Sequence, residues 1–491
     1  MSSKFYITTP IYYPNADLHM GHAYTTTLSD ILARYHKVIG DETRLSSGTD
    51  DHAYKVAQAA IRAGQDTREY VVAQGERFKN LFGKLGVELD DFIQTSDKER
   101  HWPGACEIWK RLEANGDLEK RSYKGLYCIG CESFKKPEDL LNGKCPDHDK
   151  APEELEEENY FFKLSNYTNK LKKIIEGDEL VIKPEARKNE ILAQLNRGLD
   201  DVSFSRPVKS TAWGIPVPGD PEQVMYVWCD ALTNYITSLG FGTSDQSNFD
   251  KFWPADVHMM GKDILRFHAA IWPAMLLSAK LPLPKSLFVH GFITSGGRKM
   301  SKTIGNVVDP LAVITEYDEL GEGVGVEALR YFLAREISPF EDGDFTLERF
   351  KEAYNANLAN GLGNLASRIM KMAESHLLGV PTSIGGRASE PGESELPSTY
   401  TDLMSNFEIQ KACDYIWSEI GRLDTLIQSS QPFKLIKTEP EKGRDIISDL
   451  VIDLYKIARM LTPILPTTVR LIKESVKANK SFEKPLFPRK D

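Results

Sequence analysis

The stretch that most constrains the fold lies near the start of the sequence, where a strand pattern leads directly into a helix pattern. Lys4–Thr9 is rich in aromatic and β-branched residues and predicts a strand. Pro14 and Asn15 then predict a turn. Asp17 predicts a helix N-cap, and Leu18–His36 carries a helical apolar pattern. Such a helix start can bind an anion, because its unpaired N–H groups and the helix dipole point at the ligand.

Two histidines occupy the first turn of this predicted helix. His19 and His22 are three residues apart and therefore share one helix face. Gly21 between them lets a ligand approach the backbone. The layout suits phosphate binding without the glycine-rich pattern of dinucleotide or P-loop sites. Taken alone, the pair is equally consistent with phosphate binding and with packed or surface histidines. Other parts of the sequence are needed to distinguish these roles.

Length, charge and cysteine usage narrow the class of protein. A chain of 491 residues is too long for one core and predicts two or three domains. The formal net charge of −10 excludes a generally basic nucleic-acid coat, although a local basic patch remains possible. We expect no membrane span, because no apolar run is long enough, and no signal peptide, because the first strand begins so early. The six cysteines do not form a disulfide pattern, which favours a reducing compartment and hence the cytoplasm.

The first part of the chain alternates strand and helix patterns. Thr43–Asp50 predicts a strand end with its loop, and Ala53–Ala63 and Thr67–Leu85 predict helices. This order predicts an α/β fold with a parallel sheet, whose ligands bind beyond the carboxyl ends of the strands. Asp50 stands at such an end, although an acidic residue there is often only a helix cap. Further strands are predicted at Met225–Ala231, Ala255–Met260 and Leu287–Phe292.

A different pattern lies between these two groups of strands. The spacing C-x2-C-x13-C-x2-H supplies four zinc ligands in two knuckle-like pairs, namely Cys128, Cys131, Cys145 and His148. A full set of four protein ligands leaves no position for water, so we expect one structural zinc ion. The alternative is a group of unrelated buried thiols. The inserted region is expected to end near residue 222.

The last predicted strand opens into a glycine- and lysine-rich loop. Gly296 and Gly297 predict a hinge, and Lys299 and Lys302 place two cations three residues apart. Mobile lysines can close over a phosphate chain and neutralise charge during phosphoryl or nucleotidyl transfer. By itself, the loop could equally be a basic surface segment.

Strand patterns fade after about residue 345. Phe350–Leu378, Phe407–Gln428 and Arg444–Leu461 have apolar residues at helical spacing and predict a helix bundle. Pro381–Ser398, between the first two helices, is rich in Gly, Ser, Pro and Glu and predicts a flexible loop.

Taken together, these pieces resemble one enzyme family. His19–His22 and Lys299–Thr303 resemble the HIGH and KMSKS motifs of class I aminoacyl-tRNA synthetases. The zinc knuckle, Tyr226–Ala231 and Gly261–Ile264 are similar to those of the methionyl-tRNA synthetases in particular, as is Asn364–Arg368 in the helical region. The resemblance covers essentially the whole chain.

The resemblance implies a division into three domains. Residues 1–116 and 223–345 would form a Rossmann-like catalytic domain with a parallel sheet that includes the lysine loop. Residues 117–222 would form an inserted domain with the zinc knuckle, and residues 346–491 an all-α helix-bundle domain that binds the anticodon.

The implied activity is that of a methionine--tRNA ligase, which activates L-methionine with ATP to methionyl-adenylate and transfers it to tRNA(Met). The catalytic residues implied are His19, His22, Lys299 and Lys302. The ATP site would add five more residues to these four, namely Gly261, Asp263, His290, Gly291 and Ile293. Magnesium is expected to accompany ATP.

The resemblance also implies a methionine pocket, in which Asp50 would bind the ammonium group and aromatic rings would enclose the thioether. Its residues are Pro10, Ile11, Tyr13, Asp50, Trp228, Ala231, Tyr235, Ile264, Phe267, His268 and Trp272. A single methylene changes binding by only about 1–3 kcal/mol, so homocysteine should be rejected less well than leucine. The family clears homocysteine within the synthetic site, and the same is expected here.

The implied anticodon contacts are Asn364, Arg368 and Phe433. Phe433 stands where the family usually has Trp, and it keeps a flat face for stacking an unpaired base. Other departures, at Met20, Ala53, Cys229 and Thr303, are conservative. A monomer is expected, because the chain stops soon after the bundle.

Three other functions fit the sequence less well. Synthetases for leucine, isoleucine or valine carry a larger inserted editing domain, which the compact insertion here does not match. A small-molecule nucleotidyltransferase on the same fold would have no use for Asn364, Arg368 and Phe433. An RNA-binding protein that had lost catalysis would not be expected to keep both histidines and both lysines.

Overall fold

The computed structural model describes residues 3–15, 18–128, 133–146, 149–211, 213–300, 306–381 and 396–491. The strands in these ranges are β1 (Lys4–Thr8), β2 (Glu42–Thr49), β3 (Asp91–Gln94), β4 (Leu118–Cys128), β5 (Ser133–Lys135), β6 (Glu153–Phe162), β7 (Val181–Lys183), β8 (Val202–Ser203), β9 (Ser205–Pro207), β10 (Pro216–Val217), β11 (Asp220–Met225), β12 (Val257–Gly261), β13 (Ser286–His290), β14 (Ile293–Ser295), β15 (Arg298–Lys299) and β16 (Gly343–Asp344).

The helices before the bundle are α1 (Met20–Val38), α2 (Tyr54–Arg62), α3 (Thr67–Lys84), α4 (Trp102–Ala114), α5 (Thr168–Glu176), α6 (Glu185–Arg197), α7 (Val227–Ala231), α8 (Asn234–Thr237), α9 (Ser247–Phe252), α10 (Trp272–Ser278), α11 (Pro310–Asp318) and α12 (Val324–Arg335). Short 3₁₀ turns lie at Pro137–Asp139, Leu164–Tyr167 and Lys262–Ile264, and a π-helical turn at Phe267–Ile271 precedes α10.

A six-stranded parallel sheet forms the centre of the first part of the chain, in the order β3-β2-β1-β12-β13-β7. The chain leaves β1 toward β2 and β3, whereas β12 and β13 lie on the other side of β1. The strand order therefore reverses between β1 and β12, and ligands of parallel sheets bind in the crevice at such a point. The predicted α/β fold with a parallel sheet is confirmed.

One edge of this sheet comes from an unexpected part of the chain. Val181 on β7 pairs in parallel with Ser286 on β13. This strand lies inside residues 117–222, the range predicted as the insertion. The rest of that range contributes an antiparallel sheet in the order β5-β4-β6-β8 and part of a second one in the order β10-β11-β9.

The strand predicted at Met225–Ala231 is wrong. Strand β11 ends at Met225, and Val227–Ala231 forms helix α7, which places Val227 and Ala231 in the interior one helical turn apart. A short apolar run cannot be assigned to a strand or a buried helix by periodicity alone. The predicted helices at Ala53–Ala63 and Thr67–Leu85 match α2 and α3.

The C-terminal part is helical, as predicted. Its helices are α13 (Leu347–Ala353), which continues through a π-helical segment at Tyr354–Gly363 into α14 (Asn364–His376), then α15 (Ser398–Ser405), α16 (Ile409–Ser430), α17 (Pro432–Thr438), α18 (Pro440–Leu461) and α19 (Pro466–Ala478). Most of the predicted loop at Pro381–Ser398 lies outside the described residues. Among the described helices, none combines the length and apolarity needed to cross a membrane.

A buried ion pair joins the sheet, its helices and the bundle. Arg330 on α12 lies 2.6 Å from the Asp30 carboxylate on α1, and both side chains are 1% exposed. The same guanidinium donates to the carbonyl oxygens of Ile464 and Pro463 at 2.9 Å and of Gly86 at 3.3 Å. A rigid planar donor is suited to this task, because it can bind several acceptors at once.

We expect Arg330→Met to lower the apparent free energy of unfolding by about 3 kcal/mol, because it removes one of the two guanidinium groups paired with the buried Asp30 and the donor to the Ile464 and Pro463 carbonyls. Urea denaturation measures the change. The matched control is Arg422→Met, since Arg422 is half exposed and pairs with Asp453 at the surface. The control substitution should lower the free energy of unfolding by less than about 1 kcal/mol. Equal effects of the two substitutions would contradict the prediction.

Candidate active site

The two histidines of the first motif cap helix α1. The helix begins at Met20 with His19 as its N-cap, whose side chain accepts a hydrogen bond from the Gly21 N–H at 3.1 Å. Nδ1 of His22 accepts from the backbone N–H of His19, also at 3.1 Å. The predicted cap, Asp17, lies outside the described residues, and the structure assigns the N-cap to His19. This reciprocal arrangement satisfies two N–H groups that a helix start otherwise leaves unpaired.

The cap also sets where the imidazole protons lie. Because Nδ1 of each ring accepts a backbone N–H, the proton of each neutral ring is on Nε2. The rings of His19 and His22 stack with centroids 3.9 Å apart. Desolvation, and then the neighbouring His19, lower the pKa of His22 well below its usual value. His22 is therefore a neutral N–H donor at neutral pH.

His290 connects this helix start to the end of β13. Its Nε2 lies 2.7 Å from the Thr25 hydroxyl on α1, and its Nδ1–H donates to the Gly291 carbonyl at 2.7 Å. Burial lowers the pKa of His290, so the ring is neutral. Gly291 itself admits no side chain, because a Cβ there would lie 2.1 Å from the Glu341 carbonyl oxygen. His290, at the end of β13, thus contacts α1 one helical turn after His22.

The end of β12 lies next to β13, on the opposite side of the reversal point from β1 and β2. Gly261 ends the strand, and Asp263 follows in an exposed 3₁₀ turn. A Cβ at Gly261 would come within 2.9 Å of the Asp263 carboxylate, so glycine keeps this approach open. The ammonium group of the neighbouring Lys262 forms an ion pair with the Asp342 carboxylate at 2.7 Å. This pairing already neutralises the lysine and makes it a poorer candidate for phosphate binding.

The lysine loop begins as a tight hairpin. Strands β14 and β15 pair antiparallel, and the turn between them has positive φ at both Gly296 and Gly297. Two-residue hairpin turns of this kind require glycine-like residues. The glycines thus build a turn, which Asp344 ties down by accepting the Gly297 N–H at 2.8 Å. The Lys299 side chain and residues 301–305, which include Lys302, lie outside what the structure describes.

The predicted methionine residues of the first loop lie beside the end of β2. The Tyr12 N–H donates to Gly48 O at 3.0 Å, and the Asp50 N–H donates to Tyr12 O at 2.9 Å. These bonds align Pro10–Tyr13 with Asp50, which is 3% exposed. Gly48 allows this close packing, since a Cβ there would be 2.0 Å from the Ile93 carbonyl oxygen.

Aromatic rings form the other wall. Trp228 on α7 stacks on Phe267 with centroids 3.6 Å apart and planes 14° apart. Both rings line a cavity of about 1130 Å³, together with Tyr13, Asp263 and Ile264. Residues from the predicted methionine and ATP sites therefore share one cavity.

Behind this wall lies a second set of predicted residues, all buried. The Tyr235 hydroxyl donates to Nε2 of His268 at 2.6 Å, because the His268 Nδ1–H donates to the Ile264 carbonyl at 2.9 Å. Burial lowers the pKa of His268 to about 4, so this ring is also neutral. Trp272 and Ala231 complete the set and are likewise buried.

Sequence reasoning missed several polar residues in and around the pocket. His258 on β12 accepts from the Trp272 indole N–H at 3.3 Å and bonds Thr8 at 2.7 Å. A histidine within an otherwise apolar buried strand was the available signal. Asp230, His52 and His101 form a buried cluster that no local pattern indicated, because its members are far apart in sequence.

Of the four predicted zinc residues, the structure describes two, Cys128 and Cys145. Cys128 ends β4 and pairs with Ser133 on β5. Cys145 pairs with Lys150 in an isolated antiparallel bridge. The Cys128 and Cys145 side chains are 3% and 0% exposed, whereas Cys131 and His148 lie outside the described residues. Within the described ranges, no group of three or more metal-ligating side chains is found.

The predicted anticodon residues occupy the bundle. Asn364 and Arg368 are one turn apart on α14, and Arg368 pairs with Asp424 on α16. Phe433, in the first turn of α17, is 45% exposed. An exposed large aromatic residue is unusual in a packed bundle and is available for stacking.

Comparison with known proteins identifies the family. A family model described as class I tRNA synthetases of the M type matches residues 5–149 and 131–370. A methionine--tRNA ligase from Fusobacterium nucleatum is 41% identical and covers 98% of this chain and 76% of its own length. The corresponding ligase from Caldanaerobacter subterraneus is 40% identical and covers 97% of this chain and 74% of its own length. This chain belongs to the methionyl class I aminoacyl-tRNA synthetases.

A solved methionyl-tRNA synthetase has the same fold. The Mycobacterium tuberculosis enzyme in complex with methionyl-adenylate has a TM-score of 0.87 and 34% identity, and the match covers 99% of this chain and 100% of that one. The methionyl-tRNA synthetase fold therefore extends over both the sheet and the helical bundle of this chain.

The lowered pKa of His268 predicts a specific loss of stability in acid. The unfolded state takes up a proton below about pH 6.5, whereas the folded ring does so only near pH 4. Stability contributed by the neutral ring is therefore present above pH 6.5 and lost as the pH falls toward 4. We expect the difference in unfolding free energy between wild type and His268→Gln to fall by about 2 kcal/mol between pH 7 and pH 5. Urea titrations of both proteins at both pH values measure this difference. The same difference at pH 7 and pH 5 would contradict the prediction.

Proposed function

We propose that this chain is a methionine--tRNA ligase, which forms methionyl-adenylate from L-methionine and ATP and then transfers methionine to tRNA(Met). Membership of the methionyl-tRNA synthetase family supports this. The observation that carries the proposal is the shared cavity, in which the aromatic wall of Trp228 and Phe267 lies next to Asp263 at the strand-order reversal.

The first step needs no nucleophile from the enzyme. A methionine carboxylate oxygen attacks the α-phosphorus of ATP, the bond from that phosphorus to the bridging oxygen breaks, and pyrophosphate leaves. Negative charge therefore builds on the phosphate oxygens. His19 and His22 donate their Nε2–H groups to these oxygens, and Lys299 and Lys302 hold the leaving pyrophosphate. Preoriented donors of this kind stabilise a transition state without reorganising.

The neutral state of the histidines is useful for this role. The Nδ1 atoms are already engaged with backbone N–H groups, so both rings are fixed before ATP binds. A neutral imidazole donates a hydrogen bond without giving up its proton, which the adenylation step does not require. In the second step, a terminal ribose hydroxyl of the tRNA attacks the carbonyl carbon of the adenylate, and AMP leaves.

In the proposed ATP site, Gly261 and Asp263 hold the ribose, and the backbone of His290, Gly291 and Ile293 lies near the adenine. Magnesium bound with ATP would neutralise part of the charge on the phosphates. The Thr25–His290 hydrogen bond supports this assignment, because it fixes the end of β13, where the adenine would bind, relative to helix α1, which begins with the two histidines.

The methionine pocket combines one charge with a ring of aromatic groups. Asp50 binds the ammonium group, and Tyr13, Trp228, Phe267 and Trp272 surround the thioether. Each sulfur–aromatic contact is worth only about 0.3–1.5 kcal/mol, so the fit depends on several rings together. Homocysteine, shorter by one methyl group, is therefore excluded incompletely and is cleared in the synthetic site.

Cys128, Cys131, Cys145 and His148 would hold one structural zinc ion. Cys128 and Cys145 are both buried, and each belongs to a backbone pair that brackets a second predicted ligand in the sequence, which supports a metal that joins two knuckles. With four protein ligands the ion would stabilise the insertion and would not take part in the reaction.

Asn364, Arg368 and Phe433 bind the anticodon of tRNA(Met). Arg368 is oriented by its ion pair with Asp424, and Phe433 offers an exposed face for a base. The three-domain division, a monomeric state and a cytoplasmic location complete the proposal, and sedimentation velocity at micromolar concentration tests the monomer.

The proposed function is tested by ATP–pyrophosphate exchange measured with each of the twenty amino acids in turn. Exchange should depend on methionine alone. We expect His22→Asn to lower kcat by about 100- to 1000-fold, or 3–4 kcal/mol of transition-state stabilisation. The reason is that asparagine can keep the acceptor near Nδ1 that caps the helix but loses the Nε2–H donor. Exchange with another amino acid, or an unchanged kcat in a correctly folded His22→Asn variant, would contradict the account.

The metal assignment is tested by elemental analysis of the purified protein. We expect one zinc per chain in the wild type and loss of zinc in Cys145→Ser. The control is Cys106→Ser, which alters a half-buried thiol on α4 that is remote in sequence from the four predicted ligands. Retention of zinc in Cys145→Ser, or a zinc-free wild type, would refute the site.

A further inference from the structure

Asp230 is the centre of a buried polar cluster that the proposed reaction does not use. Its side chain is fully buried on α7, and each carboxylate oxygen binds a different histidine. Oδ2 lies 2.5 Å from Nδ1 of His52, and Oδ1 lies 2.6 Å from Nε2 of His101. An ionised carboxylate accepts only, so both histidines donate to it.

The three residues come from three different elements. Asp230 lies between Trp228 and Ala231, which belong to the methionine pocket. His52 follows Asp50 by two residues at the end of β2, and His101 directly precedes α4. The contact between Asp230 and His52 thus joins the helix that carries the aromatic wall to the loop that carries the predicted ammonium ligand.

The orientation of His52 depends on Asp230. Nε2 of His52 is buried and has no hydrogen-bond partner among the described residues, so Nδ1 makes the polar contact that orients the ring. On one side, the ring meets the Trp213 ring edge-on at 5.3 Å and borders a cavity of about 180 Å³. Without Asp230, His52 could rotate toward that cavity and carry its loop with it.

Electrostatics support an ionised Asp230. Burial alone would raise its pKa, but the adjacent His52 and the hydrogen bond from His101 keep the pKa below the usual value. Burying an anion is unfavourable, and well-packed apolar residues in its place are often equally stable. A buried carboxylate with two donors is thus better explained by the geometry it enforces than by stability.

We propose that Asp230 is a positioning residue for methionine binding, which acts through His52 to hold Asp50 at a fixed distance from Trp228 and Ala231. The inference rests on the proposed function and adds a residue that touches no substrate. Ammonium and thioether must be held at once, so their two binding groups need a rigid connection. Misplacement of a binding group by about 1 Å can cost 100-fold.

Two substitutions at His52 separate this role from simple packing. His52→Asn places an amide N–H where Nδ1–H was and can still donate to Asp230, whereas His52→Gln has a similar size but places its amide near Nε2. We expect His52→Gln to raise the methionine KM in ATP–pyrophosphate exchange about 10- to 100-fold and the ATP KM less than about twofold. His52→Asn should restore the methionine KM to within about threefold of wild type.

His101 provides the matched control, since it binds the same carboxylate from an element that does not carry Asp50. His101→Ala should lower the thermal midpoint while raising the methionine KM less than His52→Gln does. The proposal is overturned if His52→Gln and His52→Asn have equal methionine KM values, or if the methionine and ATP KM values rise together. A wild type without methionine-dependent exchange would instead reject the proposed function itself.

Discussion

The buried ion pair between Asp30 and Arg330 fixes the helix on which the proposed chemistry depends. Asp30 lies in the middle of α1, and Arg330 bonds in turn to two carbonyl groups that lead into α19 of the bundle. The start of the same helix is fixed by the reciprocal cap of His19 and His22. Because α1 is held at both points, its Nε2–H donors keep one position relative to the ends of β12 and β13.

The site combines groups that the chain brings together from both sides of the strand-order reversal. Helix α1 and the loop at Asp50 come from the β1–β2 side, whereas Gly261, Phe267 and His290 follow β12 and β13. Buried neutral histidines recur at the junctions, at His258, His268 and His290, where burial lowers each pKa. Neutral rings can join elements by directional hydrogen bonds without bringing unpaired charge into the core.

Local sequence patterns predicted those parts of the fold that are determined by residues close together in the sequence. The helices of the bundle, the parallel sheet and a helix after the first strand follow from spacing, capping chemistry and alternation of elements, although the cap was predicted at Asp17 and is His19 in the structure. The same reasoning assigned a strand to Val227–Ala231, which tertiary packing makes a helix, and did not foresee that Val181 extends the sheet. It could not find the contact of His52 with Asp230, since 178 residues separate them and no period connects them.

The central claim is that this cavity selects methionine for transfer to tRNA(Met). The most direct measurement offers the protein ATP, an equimolar mixture of all twenty amino acids and unfractionated tRNA, and identifies the charged product by mass spectrometry. We expect methionine esterified to tRNA(Met) and pyrophosphate released in equal amount. A different amino acid on the tRNA, or methionine on a tRNA with another anticodon, would contradict it.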